Sequence, residues 1–215
     1  NHPVVAAMVE HLDQSVGRIL QYLEDADQAQ QTLLVFYSDN GAKHAYADQT
    51  PFRKGKGWLY EGGIRVPLVM RWPGVIRSGT VSRQVVSTPD LFATFLEVAG
   101  VERTPLATDG KSLVPVMLHP DTLLSVQSAV WHYPHYHRGS GMVPGAAMRD
   151  GRYKVVHWYE AGLTGQPGAW ELYDLVEDPG EQYDLSAEMP EKMTALRRQL
   201  EQTLLEMGAQ QPVLR

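Results

Sequence analysis

Thr32-Leu33-Leu34-Val35-Phe36-Tyr37-Ser38-Asp39-Asn40-Gly41 is the stretch on which the reading of the chain turns. The run from Thr32 to Tyr37 lacks the in-out alternation of a half-solvated strand. A continuous apolar run suits a strand covered on both faces, as in a parallel sheet. The polar turn then falls at the strand's carboxyl end, where open α/β sheets collect ligands. Asp39 offers a carboxylate and Asn40 a neutral amide oxygen, and both suit a hard divalent cation. Asn-Gly is also common in ordinary turns, so the dipeptide alone decides nothing.

Upstream, Val5, Met8, Val9, Leu12, Val16, Ile19, Leu20 and Leu23 recur at helical spacing and predict one amphipathic helix over 4–22. Downstream, Val66 to Trp72 reads as a second strand, stopped by Pro73-Gly74. Asp90 to Val98 reads as a helix, with Pro89 before it and Gly100 just past its end. Helices and strands in alternation predict an α/β layer. The character changes near Pro120. Short strand candidates follow at Ser128–Tyr133, Ala146–Arg149, Tyr153–His157 and Glu171–Leu175, separated by turns rich in Gly and Pro. Pro190 to Met207 closes the chain as a helix with Met193, Leu196, Leu200, Leu204 and Leu205 on one stripe. The expected fold is α/β: residues 1–120 in an α/β domain, and residues 121–215 in a small antiparallel sheet with a helix packed on it.

A net charge of -6 and no basic stripe argue against nucleic acid as a partner. No apolar run approaches the roughly 18 residues of a membrane span. The absence of cysteine excludes disulfides, thiolate metal sites and a cysteine nucleophile within these residues. Asn1-His2-Pro3 lacks an initiator Met and gives the expectation of a piece of something longer.

Two further segments carry candidate chemistry. In Pro51-Phe52-Arg53-Lys54-Gly55-Lys56-Gly57, alternating Lys and Gly lets backbone and ammonium groups approach an anion, although a solvated basic loop has the same composition. In Tyr60-Glu61-Gly62-Gly63-Ile64-Arg65-Val66-Pro67, paired glycines imply tight backbone packing, with a Glu61–Arg65 ion pair as a structural brace.

Taken in order, Ser38-Asp39-Asn40-Gly41, Gly55-Lys56-Gly57, Glu61-Gly62-Gly63-Ile64-Arg65-Val66-Pro67 and Trp72-Pro73-Gly74 resemble the type I, formylglycine-dependent sulfatases of the alkaline-phosphatase-like superfamily, bacterial arylsulfatase-like members above all. Thr88-Pro89-Asp90-Leu91, Asp109-Gly110-Lys111-Ser112-Leu113 and Glu171-Leu172-Tyr173-Asp174-Leu175 with Asp178-Pro179 agree, so the resemblance covers nearly the whole chain. It implies the C-terminal half of a sulfatase: residues 1–120 from the catalytic α/β sandwich and 121–215 as the C-terminal subdomain. It implies Asp39 and Asn40 as ligands of a divalent cation, calcium by family habit with magnesium as the alternative. It implies Lys56 as the lysine that contacts the sulfate and the leaving oxygen. The expected substrate is a small sulfate ester or a sulfated carbohydrate. A periplasmic or secreted location is compatible with the family.

Two departures qualify the resemblance. The family's modification motif, Cys/Ser-x-Pro-x-Arg, is not completed by Ser87-Thr88-Pro89-Asp90-Leu91, so the formylglycine is expected outside these residues. Lys54 stands where relatives commonly have a small residue, and extends the anion pocket or faces solvent. His132-Tyr133-Pro134-His135-Tyr136-His137 allows three readings: substrate contact led by His132 and His135, plain loop histidines, or a transition-metal site. His44, just past the metal turn, is a further substrate candidate. His11 and His157 are expected to be structural. The competing functions are a phosphoesterase or phosphonate hydrolase of the same superfamily, and a non-catalytic sulfated-glycan-binding protein.

Overall fold

The computed structural model describes residues 2–101, 109–125 and 128–213. In chain order the elements are α1 (Pro3–Asp25), a 3-10 turn (Ala29–Gln31), β1 (Leu34–Tyr37), α2 (Glu61–Ile64), β2 (Leu68–Arg71), α3 (Thr88–Val98), α4 (Val114–Leu118), β3 (Ser128–Tyr133), β4 (Gly145–Asp150), β5 (Tyr153–Trp158), α5 (Tyr159–Thr164), β6 (Trp170–Asp174) and α6 (Pro190–Glu206). The fold class is α/β, as expected, with two antiparallel sheets. No helix among the described residues is long and apolar enough to cross a membrane.

The chain forms two compact units. One comprises Pro3–Tyr37 and Pro67–Gln127; the other comprises Asn1–His2, Ser38–Val66 and Ser128–Arg215. A linear division at residue 120 is therefore crossed by Ser38–Val66, which groups with the C-terminal strands.

In the first unit, β1 pairs with β2 antiparallel, Leu34 opposite Arg71 and Tyr37 opposite Leu68. This corrects the expectation of a parallel sheet. An apolar run reports burial, not strand direction, and the long connection between the two strands permits either sense. The predicted amphipathic stripe of α1 is present, yet the helix has no buried residue, and Val4, Met8, Val9 and Leu12 stand exposed. A surface hollow of about 500 Å³ along it is lined by Val4, Ala7, Met8, His11, Leu12 and Ser15, and no carboxylate or ammonium enters it. The start of α3 is fixed locally. Asp90 Oδ2 accepts from the Ser87 backbone N–H at 2.7 Å and from its hydroxyl at 3.2 Å, and the Ser87 side chain accepts the Asp90 N–H in return, a capping box at the helix start. Asp90 Oδ1 takes the Lys111 N–H, and the buried Thr94 hydroxyl takes that of Leu113, tying α4 to α3.

In the second unit, β3-β4-β5-β6 form an antiparallel sheet in sequence order, each strand paired with the next along most of its length. Alternation sorts the side chains onto two faces. Ala146, Met148, Val155 and Leu172 meet Leu196, Leu200 and Leu204 of α6. Ala147, Val156, Trp158 and Tyr173 meet Leu59 and Tyr60 of the 38–66 segment, with Trp58 packed against them. The predicted closing helix thus covers one face, and the loop holding the candidate site covers the other. The short helices α2 and α5 have no counterpart in the sequence reading.

His157 lies on the α6 face, its ring stacked on Trp170 at 3.8 Å and 8°. Burial pulls its pKa down to about 4, with Glu201 opposing and Arg197 reinforcing the shift. Its folded pKa lies below its unfolded one, so the unfolded chain binds more protons in between. Stability from this group is complete above about pH 6.5 and is lost as pH falls toward 4. Replacing His157 with Phe keeps a stacked ring and removes the titration. Urea midpoints of the wild-type and H157F proteins should therefore run parallel above pH 7 and diverge between pH 6.5 and 4, with H157F the less acid-sensitive.

Candidate active site

The site is held by backbone before any side chain takes part. Past β1, the Ser38 hydroxyl donates to the Asn40 carbonyl at 3.1 Å and tightens the turn. The buried Gly41 donates its N–H to the Gly63 carbonyl at 2.9 Å. A Cβ at Gly41 would stand 1.8 Å from the Gly62 carbonyl oxygen, so only glycine allows that approach. Lys56 N–H donates to the Ala42 carbonyl at 2.9 Å. The Gln49 amide bridges the segments, donating to the carbonyls of Ala42 at 2.8 Å and Gly62 at 2.6 Å. The Asp39-Asn40 turn and the Lys56 loop, separate in sequence, are thus one stitched body.

The candidate side chains project from this body. Asp39 and Lys56 are exposed and Asn40 half-buried. Neither the Asp39 carboxylate nor the Lys56 ammonium has a hydrogen-bond or ion-pair partner among the described residues. Oxygen donors of this type fit a hard cation, but two fall short of the six to eight that calcium takes. No group of three or more His, Cys, Asp or Glu converges as a metal site among the described residues. His44 is exposed, and its backbone lies beside Gly55. Lys54 takes a left-handed backbone, φ 62°, and its ammonium lies 4.7 Å above the Trp58 ring.

The histidine cluster divides. His132 faces α6, with Nδ1 2.7 Å from the Tyr159 hydroxyl and Nε2 2.9 Å from the Gln210 carbonyl. Both ring nitrogens of this half-buried residue are thus engaged within the fold. His135 lies past the end of β3, exposed, edge-on to Tyr133 at 5.7 Å. His137, not singled out from the sequence, abuts the Lys56 loop. Its Nδ1 is 2.9 Å from the Ser140 hydroxyl, which donates to the Gly57 carbonyl at 3.0 Å. Trp58 Nε1 donates to the Ser140 carbonyl at 3.2 Å. Strand parity was the available signal: Trp131 and Tyr133 share one face and His132 points to the other.

Beneath the loop lies a network that the sequence reading found only in part. The expected Glu61–Arg65 pair is present at 3.6 Å, with Arg65 half exposed. The main partner of Glu61 is Lys154 of β5, at 3.1 Å. Lys154 Nζ also stands 2.7 Å from Glu181 Oε1, a charge contact rather than an aligned hydrogen bond. All three side chains are essentially inaccessible, Lys154 and Glu181 at 0% and Glu61 at 2%. Burial pushes the Glu181 carboxyl above its usual range, while Lys154 pulls it back. Nearby, Tyr60 and Tyr173 both donate to Glu171 Oε2, at 2.9 and 3.0 Å. Burial and that carboxylate raise both phenols above their ordinary range. The sequence signal was a lysine on the strand parity of Val156 and Trp158, a charge among core positions.

Residues 52–210 match the family model described as N-sulphoglucosamine sulphohydrolase, C-terminal, and residues 1–101 match the one described as Sulfatase. The chain belongs to the sulfatase family, within the alkaline-phosphatase-like superfamily. It is 36% identical over 209 residues to a sulfatase of Formosa agariphila, covering 88% of this chain and 36% of that protein. It is 34% identical to the N-acetylgalactosamine-6-sulfatase of Sus scrofa, covering 88% of this chain and 40% of the relative. Among solved structures, it superposes with TM-score 0.76 and 30% identity on a protein in complex with its substrate D-glucosamine-2-N,6-O-disulfate, covering 91% of this chain and 38% of that one. A structure in complex with k-i-k-neocarrahexaose gives the same TM-score and identity, with 92% and 42% covered. The chain thus spans about two fifths of the length of these relatives.

Removing one partner of a buried ion pair strands the other charge and costs about 3–5 kcal/mol. Lys154→Met should therefore lower the urea-unfolding free energy by about that amount. Arg65→Met, at the half-exposed partner of the same Glu61, should cost under about 1 kcal/mol in the same titration.

Proposed function

We propose that this chain is part of a sulfuric ester hydrolase acting on a sulfated carbohydrate. The observation that carries the reading is the backbone stitching of the Asp39-Asn40 turn to the Lys56 loop, one body that carries a carboxylate and an ammonium, each without a partner among the described residues. Lys56 supplies a point positive charge for a sulfate oxygen and for the oxygen that gains charge as the S–O bond breaks. Asp39 and Asn40 hold a divalent cation, calcium or magnesium, which supplies Lewis-acid stabilisation of the charge on the transferring group. Further ligands and the nucleophile come from outside these 215 residues, consistent with relatives more than twice as long. Ser87 bonds Asp90 at the start of α3 and is assigned no part in the chemistry in this reading.

A sulfated sugar is favoured over a simple aryl ester by the solved relative bound to its disulfated glucosamine substrate. His44 and His135, both exposed, are the histidines proposed to meet the sugar, and His137 and Ser140 hold the turn after Lys56. His132 leaves the proposed substrate set because Tyr159 and Gln210 occupy its ring nitrogens.

In the full-length protein, Lys56→Ala should reduce turnover of an aryl sulfate or a 6-sulfated hexosamine by about 100-fold or more, the scale of a lost charge stabiliser. Its urea midpoint should stay near wild type, because the Lys56 ammonium has no partner among the described residues to lose. Unchanged turnover removes Lys56 from the site, and faster turnover of an aryl phosphate than of the sulfate overturns the sulfatase reading. Asp39→Asn should weaken calcium binding measured by calorimetry; unaltered binding places the cation elsewhere.

A further inference from the structure

Glu181 belongs to no part of the proposed chemistry, yet it touches both ends of the loop that carries Lys56. Its backbone is left-handed, φ 52°, a conformation that L residues other than Asn and Asp rarely adopt. The preceding turn is locked by Asp178, whose Oδ2 accepts the N–H groups of Gln182 at 2.7 Å and Tyr183 at 2.8 Å. So held, Glu181 presents two faces to the loop. Its backbone carbonyl accepts from Arg53 Nη1 at 3.0 Å. Its carboxylate Oε2 accepts the N–H of Glu61 at 2.6 Å.

Arg53 precedes Lys56 and Glu61 follows it, and the loop between them closes on itself through Gly62 N–H to the Arg53 carbonyl at 3.1 Å. Both anchors are fixed again against the sheet. Arg53 Nη1 also donates to the Tyr173 hydroxyl at 3.0 Å, and its guanidinium lies 4.0 Å over the Tyr60 ring. Glu61 is paired to Lys154, which Glu181 shares. A buried carboxylate would be more economically replaced by an apolar group if stability were its only role. Here it takes the donor at one end of a loop while its own carbonyl takes the donor at the other.

We propose that Glu181 is a positioning residue for Lys56, acting as a clamp that sets where the ammonium stands relative to the Asp39-Asn40 turn. The proposal rests on the reading of Lys56 as a sulfate-contacting group. Loss of the clamp leaves the loop in place by its apolar contacts, Leu59 and Tyr60, but frees the arc between Arg53 and Glu61 to shift. A displacement of about 1 Å in such a group costs up to about 100-fold in rate.

The test uses the full-length protein with E181A, R53K, K56A and the double variant K56A/E181A. Turnover and KM for an aryl sulfate are read beside backbone hydrogen exchange in residues 53–61 and 145–158. The expected result for E181A is a kcat lower by about 10- to 100-fold, faster exchange confined to 53–61, and a K56A/E181A double variant no slower than K56A alone. R53K, which breaks the other end of the clamp outside the buried ion cluster, should give the same pattern more weakly and serves if E181A does not fold. Wild-type exchange in 53–61 with wild-type kcat overturns the clamp. Equal loss of protection in 145–158 also overturns it, by making Glu181 a general stabiliser. If K56A alone turns over normally, the functional reading of Lys56 fails, while the exchange measurement still decides whether Glu181 holds the loop.

Discussion

The ammonium of Lys154 is cut off from water and balanced by two equally buried carboxylates, Glu61 at 3.1 Å and Glu181 at 2.7 Å. Taking such ions out of water costs several kcal/mol each, and their mutual attraction rarely returns a surplus. What the cluster supplies is uniqueness. A slip of β5 by one residue would turn Lys154 away from Glu61 and Glu181 and toward Leu196 and Leu200, so the wrong register is opposed by charge as well as by shape. The same cluster seats α2, and α2 seats the glycines on which the Asp39-Asn40 turn rests. Position in the site therefore traces back, contact by contact, to one lysine in a sheet.

The elements most legible in the sequence were those whose signal is periodic and long. α1, α3, α6 and the strands β3 to β6 fall close to where alternation, helical spacing and Gly/Pro punctuation put them. Strand direction in β1 was not legible, because hydrophobicity is a scalar and carries no sense. The four residues of α2 were hidden, since Glu61-Gly62-Gly63-Ile64 has poor intrinsic helix propensity and is held by Glu181 from far along the chain. In the site, Asp39, Asn40 and Lys56 could be nominated because their residue types and order carry chemistry. Gln49 and Ser140 could not, because their roles exist only through partners distant in sequence. The histidine cluster shows the boundary clearly. Composition grouped His132 with His135, and the two-residue period of a strand separates them.

A division of labour runs through the 38–66 segment. Backbone groups hold it together: Gly41 to Gly63, Lys56 to Ala42 and Gly62 to Arg53. Glycine makes these approaches possible where a side chain would collide, as at Gly57, whose φ of 84° and proximity to the His137 ring both exclude a Cβ. Side chains of Asp39 and Lys56 are thereby released from structural duty. A site built this way can keep its frame while its charged groups meet a ligand, because nothing that fixes the frame must break when they do.

Val155 and Val156 bring out the consequence of the two-sided sheet. They are neighbours of identical chemistry, both at 0% exposure, yet one packs against α6 and the other against Leu59 and Tyr60. Drift at the first is felt by the scaffold, and drift at the second by the floor beneath the 38–66 segment. A lineage, or an engineer, could therefore retune the candidate site from below by editing alternate residues of the strands beneath it, leaving the helix side as written. The sheet behaves like a printed page whose two sides can be revised separately.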